Sequence, residues 1–319
     1  MAAPACGDEE FISLYRKHRS TQQVADALGV SERAVQKRRG NIEKRYNVVL
    51  PQDDRRPAYA RGQIDHERAV YRLDIDDGEV LIASDLHIWP GPLTTMQRAF
   101  KKFVGERKPA AVILNGDVFD GARVSRHPSI GWEKKPTVKQ EMDAVKDYLA
   151  DLTIAAGTAK RIWPAGNHDL RFESRIAASL PELEGVEGTA LKDHFADWIP
   201  CWRCDINNDV VVRHRELGGE HADFRNTQTQ GVTVITGHDH RTNVTHWVGY
   251  SGIHWGVRCG FMAESPLDPQ FVHYLEGRVP NWWPAFILLT FKNGTLLWPE
   301  QVTFHAEGVV NFRGQLIDV

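Results

Sequence analysis

The sequence predicts an α/β protein with a small all-α segment ahead of a large layered domain. From about residue 70, short apolar strand-like runs alternate with amphipathic helical stretches, which is typical of layered α/β domains. Residues 9–46 show only helical periodicity. Residues 1–50 carry nine Lys or Arg against six Asp or Glu, whereas the remainder carries 30 against 36. We therefore predict domains at residues 1–50 and 70–319, joined by a polar linker at residues 51–69.

The composition is that of an ordinary globular protein. The chain has 319 residues, of which 42% are hydrophobic and 25% are charged. No apolar run approaches the roughly 20 residues that a membrane helix needs. The first residues, MAAPACGDEE, are acidic, whereas a secretory signal would be basic and then apolar. We expect a cytoplasmic protein without a membrane partner.

Two of the four cysteines have a spacing that needs an explanation. Cys201 and Cys204 form C-x-x-C, which can be half a zinc site or a redox pair. No second C-x-x-C and no close histidine pair completes a zinc set, and the segment has the pattern of a strand. We therefore expect two ordinary thiols.

Residues 9–46 predict three helices in succession. Ser20 and Gln23 form an S-x-x-Q capping box that begins the second helix, and Gly29 ends it. Ser31 can then cap a third helix, ERAVQKRRGNIEKRY, which is basic. A short helix, a glycine-containing turn and a second, basic helix form a helix-turn-helix arrangement.

This segment, TQQVADALGVSERAVQKR in particular, resembles small DNA-binding helix-turn-helix domains. The resemblance implies DNA as a partner, and it favours a homodimer, since such domains often bind paired half-sites. The expected contacts to phosphates and base edges are Arg33, Gln36, Lys37, Arg38 and Arg39. The alternative is a three-helix interaction module with a solvated basic face.

The large domain is predicted to contain two long helices and a terminal hairpin. One helix is expected near residues 94–106. A second is expected at 137–156, where Thr137 and Gln140 form a capping box. The segment PAFILLTFKNGTLLWPEQVTF predicts a hairpin that turns at residues 292–294.

Polar residues with ligand chemistry follow five of the strand-like runs. In open α/β sheets, ligands bind at the carboxyl ends of the strands, so we expect these five loops to converge. The motifs are D-x-H (Asp85, His87), G-D-x-x-D (Asp117, Asp120), G-N-H-D (Asn167, His168, Asp169), an isolated His214, and G-H-x-H (His238, His240).

In this order the motifs resemble those of the calcineurin-like metallophosphoesterases, over roughly residues 78–305. The resemblance implies a β-sandwich of two face-to-face sheets flanked by helices, with four layers in the order αββα. It also implies two divalent metal ions, with Mn²⁺ expected and Fe, Zn²⁺, Ni²⁺ or Mg²⁺ as alternatives. By resemblance, one metal is held by Asp85, His87 and His240, the other by Asn167, His214 and His238, and Asp117 bridges the two.

The resemblance further implies that His168 binds no metal and lies beside the phosphate. There it would stabilise the transition state or protonate the leaving oxygen, so His168 and Asp117 are the expected catalytic residues. Asp120 and Asp169 are expected to orient neighbouring groups. Three side chains are candidate substrate contacts, with an ordinary surface role as the alternative: Arg171, Arg126 and His127.

Two metal ions can neutralise a phosphate ester and activate water at neutral pH, which predicts a metal-dependent phosphoester hydrolase. G-N-H-D resembles the nuclease and phosphodiesterase branches, and the helix-turn-helix segment would hold the domain near DNA. The first hypothesis is therefore a DNA nuclease or phosphodiesterase, and the combination of domains resembles phage or prophage proteins of an infected host. The alternatives are a phosphatase or phosphodiesterase of small nucleotides or phosphomonoesters, and a DNA-binding regulator with an inactive phosphoesterase scaffold.

Overall fold

The structure is a computed structural model that describes residues 6–46, 48, 50, 70–127, 132–272 and 275–319. It divides into two compact units, residues 1–65 and 66–319. The predicted linker at residues 51–69 lies outside the described residues. Among the described helices, none is both long and apolar enough to cross a membrane.

The first unit consists of three helices, α1 (Asp8–His18), α2 (Thr21–Leu28) and α3 (Glu32–Tyr46). Ser20 accepts a hydrogen bond from the backbone N–H of Gln23 and so begins α2. Gly29 ends α2 in the left-handed conformation, at φ 62°. The side chains of Phe11 and Val35, among others, form a small buried core between the helices. The three helices lie where the sequence predicts them, while their role in DNA binding stays a prediction.

Two of the five expected DNA contacts turn back onto their own unit. Arg38 lies 3.0 Å from Asp8 Oδ1, and its guanidinium lies over the ring of Phe11. Arg39 lies 2.9 Å from Glu43 Oε1. Both arginines are half-buried and paired within their own unit, while their role in DNA binding stays a prediction. The other three expected contacts are exposed: Arg33, Gln36 and Lys37.

The second unit contains two sheets. Its strands are β1 (Val70–Leu73), β2 (Gly78–Ala83), β3 (Ala111–Leu114), β4 (Lys160–Pro164), β5 (Ile199–Cys201), β6 (Arg203–Ile206), β7 (Val210–Val212), β8 (Thr233–Thr236), β9 (Thr242–Gly249), β10 (Gly252–Cys259), β11 (Ala285–Lys292), β12 (Thr295–Leu296), β13 (Glu300–Ala306), β14 (Val309–Phe312) and β15 (Gln315–Asp318). The smaller sheet has the order β1-β6-β7-β8-β10-β9. The larger has the order β15-β14-β13-β11-β2-β3-β4-β5, with β12 paired to β11, and its strands β2 to β5 run parallel.

Apolar side chains from both sheets form one buried cluster between them. Ile82 and Ile113 of the larger sheet share this cluster with Ile206 and Val257 of the smaller. Each fully buried aliphatic side chain contributes about 1.5–3 kcal/mol relative to an exposed one, so this layer is a large part of the fold's stability. The prediction of a mixed α/β domain with two sheets is confirmed.

The described helices of the second unit are α4 (Thr95–Arg107), α5 (Val138–Ala156), α6 (Arg171–Ser179), α7 (Ala222–Gln230) and the short α8 (Pro269–Val272). Phe100 of α4 and Leu149 of α5 belong to the core on the larger sheet, and α7 packs against β8, β9 and β10. Thr94 and Thr137 open α4 and α5 with complete capping boxes, which confirms both helix predictions.

The predicted turn of the terminal hairpin and the expected state of two cysteines are also confirmed. Asn293 and Gly294 form the turn between β11 and β12, at φ 49° and 72°. Cys201 ends β5 and Cys204 lies in β6, and both are buried free thiols. Burial raises the pKa of Cys201 to about 12 and that of Cys204 further still. Both thiols therefore stay protonated, which is the ordinary behaviour that the sequence predicted.

Candidate metal centre

The loops that carry the five polar motifs hydrogen-bond to one another. The backbone N–H of Asp85 donates to Gly116 O at 3.0 Å, and that of His87 donates to Asp117 O at 2.9 Å. Within the smaller sheet, the N–H of Gly237 donates to His214 O at 3.1 Å, and between the two sheets the N–H of His238 donates to Asp85 Oδ2 at 2.8 Å. The ends of the parallel strands therefore bring the motifs of both sheets to one place, as the position of the motifs predicted.

Five of the predicted metal ligands have a left-handed backbone. They are Asp85 (φ 54°), His87 (φ 42°), Asp117 (φ 52°), His238 (φ 73°) and His240 (φ 58°). This conformation costs a residue with a side chain on the order of 1–2 kcal/mol, so it persists only where surrounding contacts enforce it. Strain concentrated at chemically active side chains is typical of a functional site.

Two motif glycines are required because other motif residues approach them closely. A Cβ atom on Gly166 would lie 2.1 Å from Asp117 Oδ1. A Cβ atom on Gly237 would lie 2.6 Å from Asp85 Oδ2 and closer still to Ser84 Oγ. Each glycine therefore makes room for a carboxylate that belongs to a different motif.

One cluster of potential ligands consists of Asp85, His87 and His240, all buried. Asp85 Oδ1 lies 3.3 Å from His240 Nε2 and 4.0 Å from His87 Nε2. The ring of Phe261 stacks on that of His240 with the centroids 5.0 Å apart. Three ligand atoms thus face one small volume, with an apolar wall behind one of them.

A second cluster consists of Asp117, His214 and His238. His214 Nε2 lies 3.1 Å from Asp117 Oδ2, while His214 Nδ1 donates a hydrogen bond to Asn115 O at 2.8 Å. A backbone carbonyl at Nδ1 fixes the ring so that Nε2 faces Asp117, which is how metal-binding histidines are commonly oriented.

Asn167 Oδ1 is buried beside these clusters and makes no hydrogen bond within the described part of the chain. Asp85 Oδ1 and His214 Nε2 are also buried, and their contacts include the ion pairs with His240 and Asp117, respectively. A buried polar atom without a hydrogen bond costs about 1–3 kcal/mol, so such atoms call for another partner. Carboxylate, amide and imidazole donors together suit a divalent transition metal, and the residues therefore fit the metals that the motifs predict.

The charges of the site are strongly coupled. Although burial opposes it, His214 and His240 lower the pKa of Asp85 to about 2. Burial opposes the charged form of His214 too, but Asp117 and Asp85 raise its pKa to about 9. The neighbouring carboxylates of Asp85 and Asp117 thus favour a positive charge between them, which a divalent cation would supply in place of the His214 proton.

His168 lies beside these clusters and contacts two charged side chains. Its Nδ1 lies 2.6 Å from Asp120 Oδ1, and its Nε2 lies 2.8 Å from Arg171 Nη2. A guanidinium only donates hydrogen bonds, so Nε2 is the acceptor and the ring proton is assigned to Nδ1. The ring of His168 also lies edge-on to that of His87, with the centroids 4.5 Å apart.

Asp120 connects His168 to the first cluster. Besides His168, its Oδ1 lies 3.1 Å from His87 Nδ1, and its Oδ2 accepts a hydrogen bond from Trp89 Nε1 at 2.9 Å. Although burial opposes it, the hydrogen bonds from His168 and His87 hold the pKa of Asp120 well below its usual range. This carboxylate therefore stays ionised and orients both imidazoles.

Asp169 organises the loop after β3. Its carboxylate is buried and accepts five hydrogen bonds of 2.8–3.0 Å, from the backbone N–H groups of Asp117, Val118, Phe119 and Gly166 and from the indole of Trp163. Asp169 holds Asp117 in place through the backbone and lies outside the clusters of ligand atoms.

The family model described as calcineurin-like phosphoesterase matches residues 78–249, more than half of the chain. The chain belongs to the calcineurin-like phosphoesterase family. The resemblance of the motifs is thereby confirmed at the level of the family, whereas the helix-turn-helix segment and the likeness to phage proteins stay predictions. A search of curated proteins finds no match to this sequence.

The solved structures that match this chain are only distantly similar to it. They include Vps29 from Entamoeba histolytica complexed with Zn²⁺, at 17% identity and a TM-score of 0.39, over 75% of this chain and 98% of that one. A novel archaeal phosphodiesterase is 14% identical with a TM-score of 0.37, over 71% and 99%. YfcE, a phosphoesterase from E. coli, is 12% identical with a TM-score of 0.33, over 71% and 100%. Likeness at this level indicates no substrate.

The candidate substrate contacts differ in their position in the phosphoesterase. Arg171 is at the site, because it contacts His168 and also donates to Asp120 O at 2.9 Å. Arg126 and His127 are exposed, and within the described part of the chain their side chains contact none of the predicted metal ligands. The prediction for Arg126 and His127 therefore gains no support.

Two residues of the site were not predicted. Ser84 Oγ donates to Asp85 Oδ2 at 2.6 Å and fixes that carboxylate. Glu141 of α5 is fully buried and accepts a hydrogen bond from the backbone N–H of Gly121, next to Asp120. Glu141 lies four residues before the buried Val145, so a charged residue on an apolar helix face was the available signal.

Proposed function

We propose that the chain hydrolyses phosphodiesters with two divalent metal ions and that DNA is its substrate. The observation that carries the proposal is the convergence of two clusters of ligand atoms beside His168, which shares the carboxylate of Asp120 with His87 of the first cluster. When bound, two such ions neutralise the phosphate charge and lower the pKa of a bound water.

In the proposed ligand sets, Asp85, His87 and His240 of the first cluster would hold one metal. His214 and His238 of the second cluster would hold the other together with Asn167, whose buried Oδ1 makes no hydrogen bond within the described part of the chain. Asp117 is proposed to bridge them, with two arguments in favour. Its Oδ2 faces His214 at 3.1 Å, and its backbone O accepts the N–H of His87, so Asp117 contacts residues of both sets. Mn²⁺ is the metal we propose to test first.

His168 is proposed to protonate the leaving oxygen. Asp120 accepts a hydrogen bond from His168 Nδ1 and orients the ring, and Nε2 would carry the proton that is donated to the leaving oxygen. Arg171, which contacts Nε2 in this structure, is placed to donate to a phosphate oxygen instead. Asp120 would thus keep His168 oriented through the reaction.

DNA is proposed as the substrate because of the first unit. Its exposed residues Arg33, Gln36 and Lys37 lie on or near one side of α3, where they can contact phosphates and base edges. Binding by such contacts would raise the local concentration of DNA without adding chemistry to the metal site.

A second candidate is the hydrolysis of small nucleotides or phosphomonoesters. The specific observation in its favour is that Arg38 and Arg39 pair within the first unit, which leaves a smaller basic face for DNA. In that case the three helices would serve assembly or another partner.

A screen of the full chain with Mn²⁺ tests both candidates. We expect turnover of bis-p-nitrophenyl phosphate and of duplex DNA, and its loss with EDTA. Turnover of small esters without any cleavage of duplex or single-stranded DNA would select the second candidate. DNA binding without turnover by any divalent metal would refute both and leave the inactive regulator.

A further inference from the structure

Arg258 of β10 is a buried cation that belongs to none of the five motifs. Its side chain is 2% exposed. Its Nη1 lies 3.0 Å from Asp239 Oδ2, and its Nη2 lies 3.1 Å from Asp223 Oδ1. Nη2 also donates to the carbonyl oxygens of Gly219 and Glu220, at 2.7 Å and 2.8 Å. Burying a guanidinium is costly unless it is paired, so these contacts define its position closely.

Asp239 occupies a special place in the chain, between His238 and His240. Both histidines have a left-handed backbone, at φ 73° and 58°. The carboxylate of Asp239 turns away from the ligand clusters and pairs with Arg258. A residue keeps a strained backbone conformation only where surrounding contacts enforce it. The ion pair of Asp239 fixes the residue between the two histidines, so it restrains the backbone of both directly.

The other side of Arg258 is held by a rigid frame. Asp223 of α7 is buried, and its Oδ2 accepts a hydrogen bond from Asn243 of β9 at 2.7 Å. Asn243 is also the residue paired with Arg258 in the β9–β10 ladder. The guanidinium is thus fixed by the helix and by two strands, and it can transmit that rigidity to Asp239.

We propose that Arg258 is a positioning residue which, through Asp239, holds His238 and His240 in the conformations that bind metal. The inference rests on the proposed function for the assignment of these two histidines to different metals. One ion pair would then set the affinity of both metal sites, although neither Arg258 nor Asp239 is a ligand.

Asp239→Asn is the main test, because Asp239 is 29% exposed and the amide preserves its shape. Mn²⁺ affinity is measured by isothermal titration and stoichiometry by elemental analysis, both independent of turnover. We expect about 10–100-fold weaker binding at both sites, the usual effect of losing a group that orients ligands. Because Arg258 keeps Asp223 as an ionic partner, the metal-free variant should still unfold cooperatively, at a lower melting temperature than the wild type.

Arg258→Lys is the second variant, since a lysine keeps the charge but cannot bridge Asp239 and Asp223 in the same planar arrangement. Arg258→Lys should weaken Mn²⁺ binding as well. The double variant, Asp239→Asn with Arg258→Lys, should lose no more Mn²⁺ affinity than the single variant with the larger loss. Arg203→Lys is the matched control. Arg203 lies 2.9 Å from Asp205 within β6 of the same sheet. Its substitution by lysine should leave the Mn²⁺ affinity unchanged.

The outcomes separate this inference from the proposed function. Wild-type affinity at both sites in Asp239→Asn and Arg258→Lys overturns the inference, and so does a double variant whose loss is the product of the two single losses. If the wild-type chain binds two Mn²⁺ ions but cleaves no phosphoester, the proposed function fails while weaker binding in the variants still supports the positioning role. If the wild-type chain binds no divalent ion, both fall.

Discussion

Asp120 and His168 form a short polar contact, with Oδ1 2.6 Å from Nδ1. The same oxygen lies 3.1 Å from Nδ1 of His87. One ionised carboxylate therefore orients a proposed metal ligand and the proposed proton donor together. This arrangement couples the position of the acid to the position of the metal.

His168→Ala separates acid catalysis from metal binding. Since His168 is proposed to protonate the leaving oxygen and to bind no metal, kcat should fall about 10²–10⁴-fold. Elemental analysis should still find two metals per chain. His305→Ala, an exposed histidine of β13, is the control and should retain wild-type turnover. Unchanged kcat in His168→Ala would remove this residue from the mechanism.

Asp117→Ala tests the bridging carboxylate. Removing the residue shared by both ligand sets should abolish both metals and all turnover, whereas losing a ligand of one set should chiefly affect one metal. The measurement is metal content after dialysis against Mn²⁺. Asp143→Ala, at an exposed position of α5, is the control. Two metals retained in Asp117→Ala would refute the bridging role.

The sequence predicted which polar side chains converge more fully than it predicted the residues that hold them in place. Their convergence could be predicted because each candidate ligand follows an apolar strand-like run, and the ends of parallel strands meet. Arg258 and Glu141 could not be assigned a role, because their partners Asp239 and Gly121 come from other elements that only the packing brings near. The periodicity of a helix or strand along the sequence does not show contacts between residues of different elements.

Helical spacing accounts for the half-buried positions of Arg38 and Arg39. Val35 and Ile42 are buried in the core of the first unit. Arg38 and Arg39 lie three and four residues from each, so helical spacing places them along the edge of the packed face. The spacing is visible in the sequence, whereas the contacts of Arg38 with Asp8 and Phe11 of α1 depend on how the helices pack.

Gly166→Ala tests the close approach between two motifs. The new Cβ would overlap Asp117 Oδ1, so the carboxylate or the loop must move, which typically costs about 1–3 kcal/mol. We expect a lower melting temperature and weaker Mn²⁺ binding. Gly105→Ala in α4 is the control, since its Cβ has room, with Ala155 Cβ at 3.8 Å. The control should gain about 0.5–1 kcal/mol in stability, as alanine favours a helix.

The combined substitution Arg33→Ala and Lys37→Ala tests DNA binding by α3. If these side chains neutralise phosphates, affinity for duplex DNA should fall, and the dependence of log K on log salt should become shallower by about one for each phosphate that is no longer neutralised. Arg16→Ala with Lys17→Ala removes the same charge from exposed positions of α1 and serves as the control. Equal effects from both pairs would indicate attraction by net charge alone, without a specific contribution from α3.

Glu141→Gln tests a pH dependence that is independent of the metals, with EDTA present throughout. Burial, together with the negative charge of Asp120, raises the pKa of Glu141 from 4.5 to about 8. The folded chain therefore keeps a proton that the unfolded chain releases near pH 4.5. Between these values the unfolded state binds fewer protons, so the free energy of unfolding must fall as pH rises from about 4.5 to 8. The full contribution of this group is present below that window.

The glutamine variant removes this titration while Oε1 can still accept the hydrogen bond from Gly121. Its melting temperature should consequently decline less than that of the wild type between pH 5 and pH 8, by several degrees, because each pKa unit corresponds to about 1.4 kcal/mol. Glu173→Gln, at an exposed position of α6, should follow the wild-type curve. Parallel curves for wild type and Glu141→Gln would show that Glu141 is already ionised in the fold, so that its carboxylate acts as a charged anchor for the loop beside Asp120.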